Sequence, residues 1–397
     1  MSRPLDRLRA AAADREAAGL RRTLRPRTPD HDGLIDLASN DYLGLSRDAR
    51  LAEAAVRAVE EWGTGSTGSR LVTGSTLLHA ELEARLAAFT GAAGALVFSS
   101  GYLANLAAVA ALARGGLVVS DAGNHASIVD ACRLSRARVV VTPHGDVAAM
   151  EAALRERDEE NAVVVTDAVF SVDGDLAPLP ALHAAAVRHG ALLVVDEAHS
   201  LGVVGESGRG AVHAAGLAGD PHIVRTVTLS KSLASQGGAV LGAPEVVGTL
   251  VDTGRSFIFD TGLAPASAAA ALRAVELLEE HPELPERASS IARALAGTVH
   301  ELGLETAEPA AAVVPVVLGP PGAAVSAATL CAELGVRVGC FRPPSVPHGR
   351  SCLRLTARAN LGSDDLAVIR RALTAVAETE GGQVNRRTID DVVREAS

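Results

Sequence analysis

Lysine is almost absent from this chain, and the position of its single copy is chemical information. Lys and Arg total 37 in 397 residues, and Lys231 is the one lysine among them. A bias of that strength puts arginine wherever a plain positive charge suffices. Arginine cannot replace a lysine that must lose its proton and act as an amine, because the guanidinium stays protonated. Lys231 is therefore a candidate nucleophile; the bland alternative is a surface lysine that survived by chance. It closes the run Thr226-Val227-Thr228-Leu229-Ser230-Lys231, just past an apolar stretch, with two hydroxyls beside it. Removal from water and a neighbouring cation would lower its pKa from about 10.4 and free the amine for covalent chemistry.

A second constellation precedes it. In Val194-Val195-Asp196-Glu197-Ala198-His199 an apolar run ends in Asp-Glu-x-His, 35 residues before Lys231. A buried aspartate there suits the protonated ring nitrogen of pyridoxal phosphate, a pairing that keeps the ring an electron sink. The competing readings are a helicase-type box or a metal site. No GxxxxGK[ST] phosphate loop accompanies it, and the four cysteines (Cys132, Cys331, Cys340, Cys352) lack zinc spacing. Ser99-Ser100-Gly101-Tyr102 joins an apolar run to a helical one. Free N–H groups at such a helix start bind phosphate, and Gly101 admits close backbone approach. By itself that turn is a weak signal. Asn124-His125-Ala126-Ser127 follows another apolar run. His125 and His199 stand out from the 12 histidines only through their neighbours.

These residues need a scaffold that brings strand ends together. Apolar runs at 95–98, 117–120, 138–142, 162–166, 192–195, 226–229 and 239–241 alternate with amphipathic stretches at 76–90, 103–113, 146–157 and 178–189. Such alternation predicts a mostly parallel sheet covered by helices on both faces. Ligands of such sheets collect at the carboxyl ends of the strands, where Ser99–Tyr102, Ser171, Asp196, His199 and Lys231 fall. Residues 3–22 read as an Arg- and Ala-rich helix followed by a linker. A helical region over 265–300 is interrupted by prolines at 281–285. The remainder mixes strands, at 312–318 and 352–355, with helices, and the polar tail 381–397 reads as a loose helix. The organisation expected is a segment 1–40, a large domain 41–285 and a small C-terminal domain 286–397.

Composition excludes several classes. The net charge of −10 and the lack of any basic-aromatic stripe argue against nucleic acid. No uncharged run reaches the length of a membrane span, and the charged N-terminus has no apolar core of a secretory signal. Four scattered cysteines fit a reducing cytoplasm.

The motifs in their order resemble the α-oxoamine synthases, a family of fold-type I pyridoxal-phosphate enzymes, over about residues 34–362. The match runs through Ser39-Asn40-Asp41-Tyr42-Leu43-Gly44-Leu45, Gly68-Ser69-Arg70, His79-Ala80-Glu81-Leu82-Glu83, Ser99–Asn105, Asn124–Ser127 and Val169-Phe170-Ser171-Val172-Asp173-Gly174-Asp175. It continues through Asp196–His199 with Gly202 and Gly205, the lysine segment, and Gly237-Gly238. The resemblance implies an α/β fold-type I architecture with a smaller α+β C-terminal domain, and pyridoxal 5'-phosphate carried on Lys231. It implies that Lys231 also moves the substrate α-proton, that Asp196 pairs with the ring nitrogen, and that His125 stacks on the ring. His199 and Ser171 would face the phenolic oxygen, and Gly101, Tyr102 and Thr228 the phosphate. Arg354, Thr356, Asn40 and Arg21, together with His125, would meet the substrate. The family forms homodimers with the site at the interface, so Thr261 would reach the partner's phosphate. Among the members, Phe341-Arg342-Pro343-Pro344-Ser345-Val346-Pro347 is similar to the one serving biotin synthesis, which joins L-alanine to a pimeloyl thioester on coenzyme A or an acyl carrier protein. The alternatives are a glycine-using member, an aminotransferase or decarboxylase, and a non-enzymatic protein. Asp167, where glutamate is usual, Ser232 after the lysine, and Arg358 depart from the family pattern and bear on acyl-chain preference.

Overall fold

The computed structural model describes residues 3–18, 20–24, 26–28 and 33–395, with 380–395 described by backbone alone. Strands β1 (Ile35–Leu37), β2 (Gly94–Phe98), β3 (Leu117–Asp121), β4 (Arg138–Thr142), β5 (Ala162–Asp167), β6 (Leu192–Asp196), β7 (Ile223–Thr228), β8 (Gly238–Gly242), β9 (Val313–Gly319), β10 (Val336–Phe341) and β11 (Ser351–Thr356) build two sheets. The larger has the order β2-β8-β7-β6-β5-β3-β4 and the smaller β1-β10-β11-β9. β5 and β7 are buried at every residue, as strands covered on both faces must be, which is why valine runs rather than alternation mark them.

The expected parallel sheet forms with one exception. β8 runs antiparallel to both of its neighbours, β2 and β7. The connection 229–237 is shorter than the dozen or more residues that a parallel crossover needs, so the chain must turn straight back. That tight return holds Lys231 beside the carboxyl ends of the other strands. From β3 the chain steps outward to β4 and then returns to β5 on the other side. The switch leaves a crevice at the β3 and β5 ends.

Several boundaries differ from the sequence pattern. The first helix spans Pro4–Ala17 and buries none of its residues; without an apolar face it has nothing to prolong it toward residue 22. The backbone of the tail continues one helix, Ser363–Glu395. The segment before residue 40 contributes β1, which pairs in parallel with β10.

A buried strut holds the loop after β6. Glu197 and Arg225 form an ion pair at 0% and 3% side-chain exposure. Glu197 also accepts from the Val212 amide at 2.9 Å and from the Ser200 hydroxyl at 3.1 Å. Arg225 donates to the carbonyls of Thr90 at 2.8 Å and Arg209 at 2.9 Å. Glu197→Ala strands a buried guanidinium, and a loss of about 3–5 kcal/mol is expected. Chemical denaturation of the purified variant measures it; an unchanged midpoint would show that the strut carries no stability.

Candidate active site

Five loops leave the carboxyl ends of the large sheet and converge. β5 and β6 place Asp167 and Asp196 side by side in register. Asp196 is buried and accepts from Asn105 Nδ2 at 2.6 Å and from the Ala198 amide at 2.8 Å. Asn105 sits on the helix Gly101–Leu112; its Nδ2 also donates to Ser127 at 2.8 Å, and its Oδ1 accepts from Thr226 at 2.6 Å. The carboxyl of Asp167 is pushed well above the usual range, by burial first and then by Asp196, with Lys231 and the His125 amide opposing. Two adjacent buried carboxyls cannot both carry charge cheaply, and at Asp167 burial and the Asp196 side chain both oppose ionisation.

The crevice loop is shaped by Asn124, whose Nδ2 donates to the Val165 carbonyl at 2.8 Å and whose Oδ1 accepts from the Asp167 amide at 3.0 Å. His125 follows as the N-cap of the helix Ala126–Ser135. Its amide donates to Asp167 at 3.1 Å, and its Nδ1 meets the Ser127 hydroxyl at 2.7 Å.

Lys231 stands at the centre of a chain of polar contacts. Its Nζ lies 2.8 Å from His199 Nε2, and His199 Nδ1 lies 2.5 Å from the Tyr42 hydroxyl. Tyr42 is fully buried. Arg354 Nη2 donates to Tyr42 at 3.3 Å and to Asn40 Oδ1 at 2.9 Å. Burial lowers the Lys231 pKa to about 8, with Asp196 opposing and Arg354 assisting. Burial, then Lys231 and Arg354, hold His199 far below its ordinary pKa, so the ring is neutral. A neutral imidazole has one N–H. When Lys231 is charged it donates to Nε2, Nδ1–H faces Tyr42, and the phenol turns to Asn40, 3.2 Å away. When Lys231 is the free amine, Nε2–H faces it and the phenol donates to Nδ1. The protonation state of Lys231 is thus relayed to the surroundings of Arg354.

Arg354 is itself unusual. It is 3% exposed, its Nε has no hydrogen-bond partner, and it forms no ion pair with a described carboxylate. The Phe341 ring lies 5.6 Å beneath it. Thr356, two residues on along β11, also buries an unpartnered hydroxyl. A buried guanidinium without a counter-ion is costly unless an anion is supplied from outside. A cavity of about 1060 Å³ opens at Asn40, the hydrogen-bond partner of Arg354, and is lined also by Lys231, Ser230 and Asp41 among others.

The helix start at Gly101 forms a second polar recess. A Cβ on Gly101 would sit 3.1 Å from Thr228, and one on Gly238 would sit 2.5 Å from Gly101, so three backbones meet closely. The Gly101 and Tyr102 amides precede any intrahelical acceptor. The hydroxyls of Thr228 and Ser230, 2.7 Å apart, stand alongside. The Tyr102 side chain itself turns away, its hydroxyl bonded to Asp130.

Other expected residues fall outside the cluster. Arg21 pairs with Glu16 at 2.7 Å on the surface, while Arg22 lines a small cavity of about 210 Å³ with Phe341, Arg342 and Pro343. Ser171 has no side-chain hydrogen bond to the network. Thr261 is exposed, next to Asp260, which accepts from Ser99. Ser232, the departure after the lysine, is absorbed by Gly202: a Cβ there would lie 2.4 Å from Ser232 Cβ, and Ser232 donates to the Leu201 carbonyl at 2.6 Å. Tyr42, Asn105 and Thr226 drew no role from the sequence. Asn105 could have been found as the polar residue of an apolar helix, and Tyr42 by its place in the Ser39–Leu45 motif; Thr226 left no signal.

The sequence model of the aminotransferase class I and II family matches residues 32–373. A relative from Mycobacterium sp. (strain JLS), 8-amino-7-oxononanoate synthase, is 60% identical over 94% of this chain and 97% of its own. The chain belongs to the 8-amino-7-oxononanoate synthase family. A high-resolution SPT structure with a pyridoxal-phosphate internal aldimine is similar at a TM-score of 0.87 and 32% identity, over 95% of this chain and 98% of that one. The 8-amino-7-oxononanoate synthase from Francisella tularensis is similar at 0.77 and 26%, over 89% and 100%. The fold is the fold-type I architecture, the protein is a transferase, and its cofactor is pyridoxal 5'-phosphate. The residues present fit that group: a buried carboxylate for its ring nitrogen, an amine of lowered pKa for its carbonyl carbon, and a backbone-and-hydroxyl recess for its phosphate.

Proposed function

We propose that this enzyme joins L-alanine to a pimeloyl thioester with loss of carbon dioxide, yielding 8-amino-7-oxononanoate for biotin synthesis. The observation that carries this reading is Arg354, a buried cation without a counter-ion among the described residues, linked through Tyr42 and His199 to Lys231. An α-amino acid carboxylate supplies the missing anion in bidentate form, with Asn40 and Thr356 alongside. Pyridoxal phosphate, when bound, supplies an electron sink for charge developing on the substrate α-carbon. Asp196 pairs with its ring nitrogen, His125 covers the ring face, and the Gly101 recess takes the phosphate, with Thr228 contributing a hydroxyl. Lys231 Nζ removes the α-proton, and His199 and Tyr42 accommodate its change of charge. The α-carbon attacks the thioester carbonyl and the thiol departs. The carboxylate then leaves as carbon dioxide, and Lys231 returns a proton to the same carbon.

Two copies form the working unit in this reading, with Thr261 completing the partner's phosphate site. Exposed Leu134 and Phe259, on one groove of about 820 Å³, support such pairing. The unpaired cysteines support a cytoplasmic setting. Coenzyme A and an acyl carrier protein are both admissible acyl carriers.

Free-thiol release by the purified holoenzyme is the test. Release is expected with pimeloyl-CoA plus L-alanine and not with acetyl-CoA plus glycine. Release with the second pair alone would keep the family and overturn the substrate.

A further inference from the structure

The cavity that begins at Lys231 is also lined by Arg27, Asp36, Arg358 and Asp365. Arg358 is fixed there on both sides. The Ala357 amide donates to the Ala312 carbonyl and the Ala359 amide to the Tyr42 carbonyl, each at 2.8 Å. Asn360 packs beneath Gly44, where a Cβ would lie 2.3 Å from its Cγ, so this wall cannot slide past the loop that carries Asn40 and Tyr42.

The guanidinium of Arg358 is poorly used by the protein. Its Nη1 donates to the Asp36 carbonyl at 3.2 Å, its Nε is buried without a partner, and it makes no ion pair with a described residue. The three aspartates that line the cavity are engaged elsewhere. Asp36 accepts from the amides of Ala38 and Ser39 and pairs with Arg27 at 3.4 Å. Asp41 accepts from the amides of Leu45 and Ser46. Asp365 accepts from the Gly362 amide at 2.9 Å. A half-buried cation on the wall of a substrate cavity, held by its backbone and unneutralised by its neighbours, is suited to an anionic part of a ligand.

We propose that Arg358 is an oxyanion subsite for the acyl donor, binding either the terminal carboxylate of the acyl chain or a phosphate of its carrier. The inference rests on the reading that the donor is a pimeloyl thioester, which carries a carboxylate at the end remote from the reacting carbonyl. Arg354 takes the amino acid carboxylate and Arg358 an anion of the second substrate, so the two arginines sort the two substrates.

Binding measured without turnover separates this from the reaction itself. Wild-type, R358Q and R358M holoenzymes are titrated calorimetrically with pimeloyl-CoA, heptanoyl-CoA and pimeloyl-pantetheine. Wild type is expected to prefer pimeloyl-CoA to heptanoyl-CoA by roughly ten- to a hundredfold, the effect of a charge-assisted contact, and both variants to lose the preference. If the variants instead weaken both CoA thioesters equally and leave pimeloyl-pantetheine unchanged, the subsite stands and its anion is a carrier phosphate. Equal Kd values for wild type and a folded variant across all three ligands overturn the proposal, as does failure of wild type to bind pimeloyl-CoA. R358M keeps the packing of the arginine stem if R358Q does not fold. Preference for an anionic thioester without thiol release in the turnover assay would overturn the proposed reaction and leave the subsite intact.

Discussion

Lys231→Ala is expected to lower turnover by about 10²–10⁴-fold from lost proton transfer alone, and further because the cofactor loses its covalent anchor. Thiol release with pimeloyl-CoA and L-alanine measures the rate. Mass spectrometry after borohydride reduction locates the cofactor on the Lys231 peptide of the wild type and nowhere on the variant. Normal turnover by the variant would remove Lys231 from the chemistry. The same residue sets a pH dependence. Covalent capture needs the free amine, and burial brings its pKa down to about 8. Cofactor uptake by the apoprotein should therefore accelerate as pH rises and level off above about 8. A profile still rising toward the ordinary lysine value of about 10.4 would show that Lys231 is not desolvated. His199 and Tyr42 can follow that proton because one imidazole N–H serves either direction.

Asp196→Asn and Asp167→Asn should diverge sharply although the two residues are neighbours in register. The first removes the carboxylate proposed to face the ring nitrogen, and a loss of about 10²–10³-fold in turnover is expected, comparable to removing one preorganised electrostatic contact. The second replaces a carboxyl whose ionisation burial and Asp196 already oppose. Its amide oxygen still accepts from the His125 amide, so turnover should stay within about threefold, an expectation for a near-isosteric neutral exchange. Steady-state rates and cofactor absorbance of both variants decide the matter. Equal losses would mean that the Asp167 carboxyl is needed as much as that of Asp196.

Much of this was legible beforehand, for identifiable reasons. The single lysine stood out because arginine substitutes for charge and not for nucleophilicity, and it folds against His199 beside the strand ends. Valine runs such as Val163-Val164-Val165 and Leu193-Val194-Val195 marked doubly covered strands, and the polar residues directly after them marked the carboxyl-end rim. Even the reversed β8 left a trace, in the short interval between Thr228 and Gly238. The Arg21 expectation rested on alignment just beyond a helix that ends at Ala17 and has no buried face, where nothing in the sequence fixes which arginine turns inward.

The sequence by itself determined the alternation of strands and helices, the lysine, and the acid at its fixed distance, because each is written in local composition and spacing. Only the tertiary structure decided that Tyr42 meets His199 across 157 positions, that Arg354 lies buried against Asn40 across 314, and that Asp167 lies buried beside Asp196, which opposes its ionisation. Those outcomes depend on strand order, burial and the charges of distant neighbours. Helical and strand periodicities report only on residues a few positions apart.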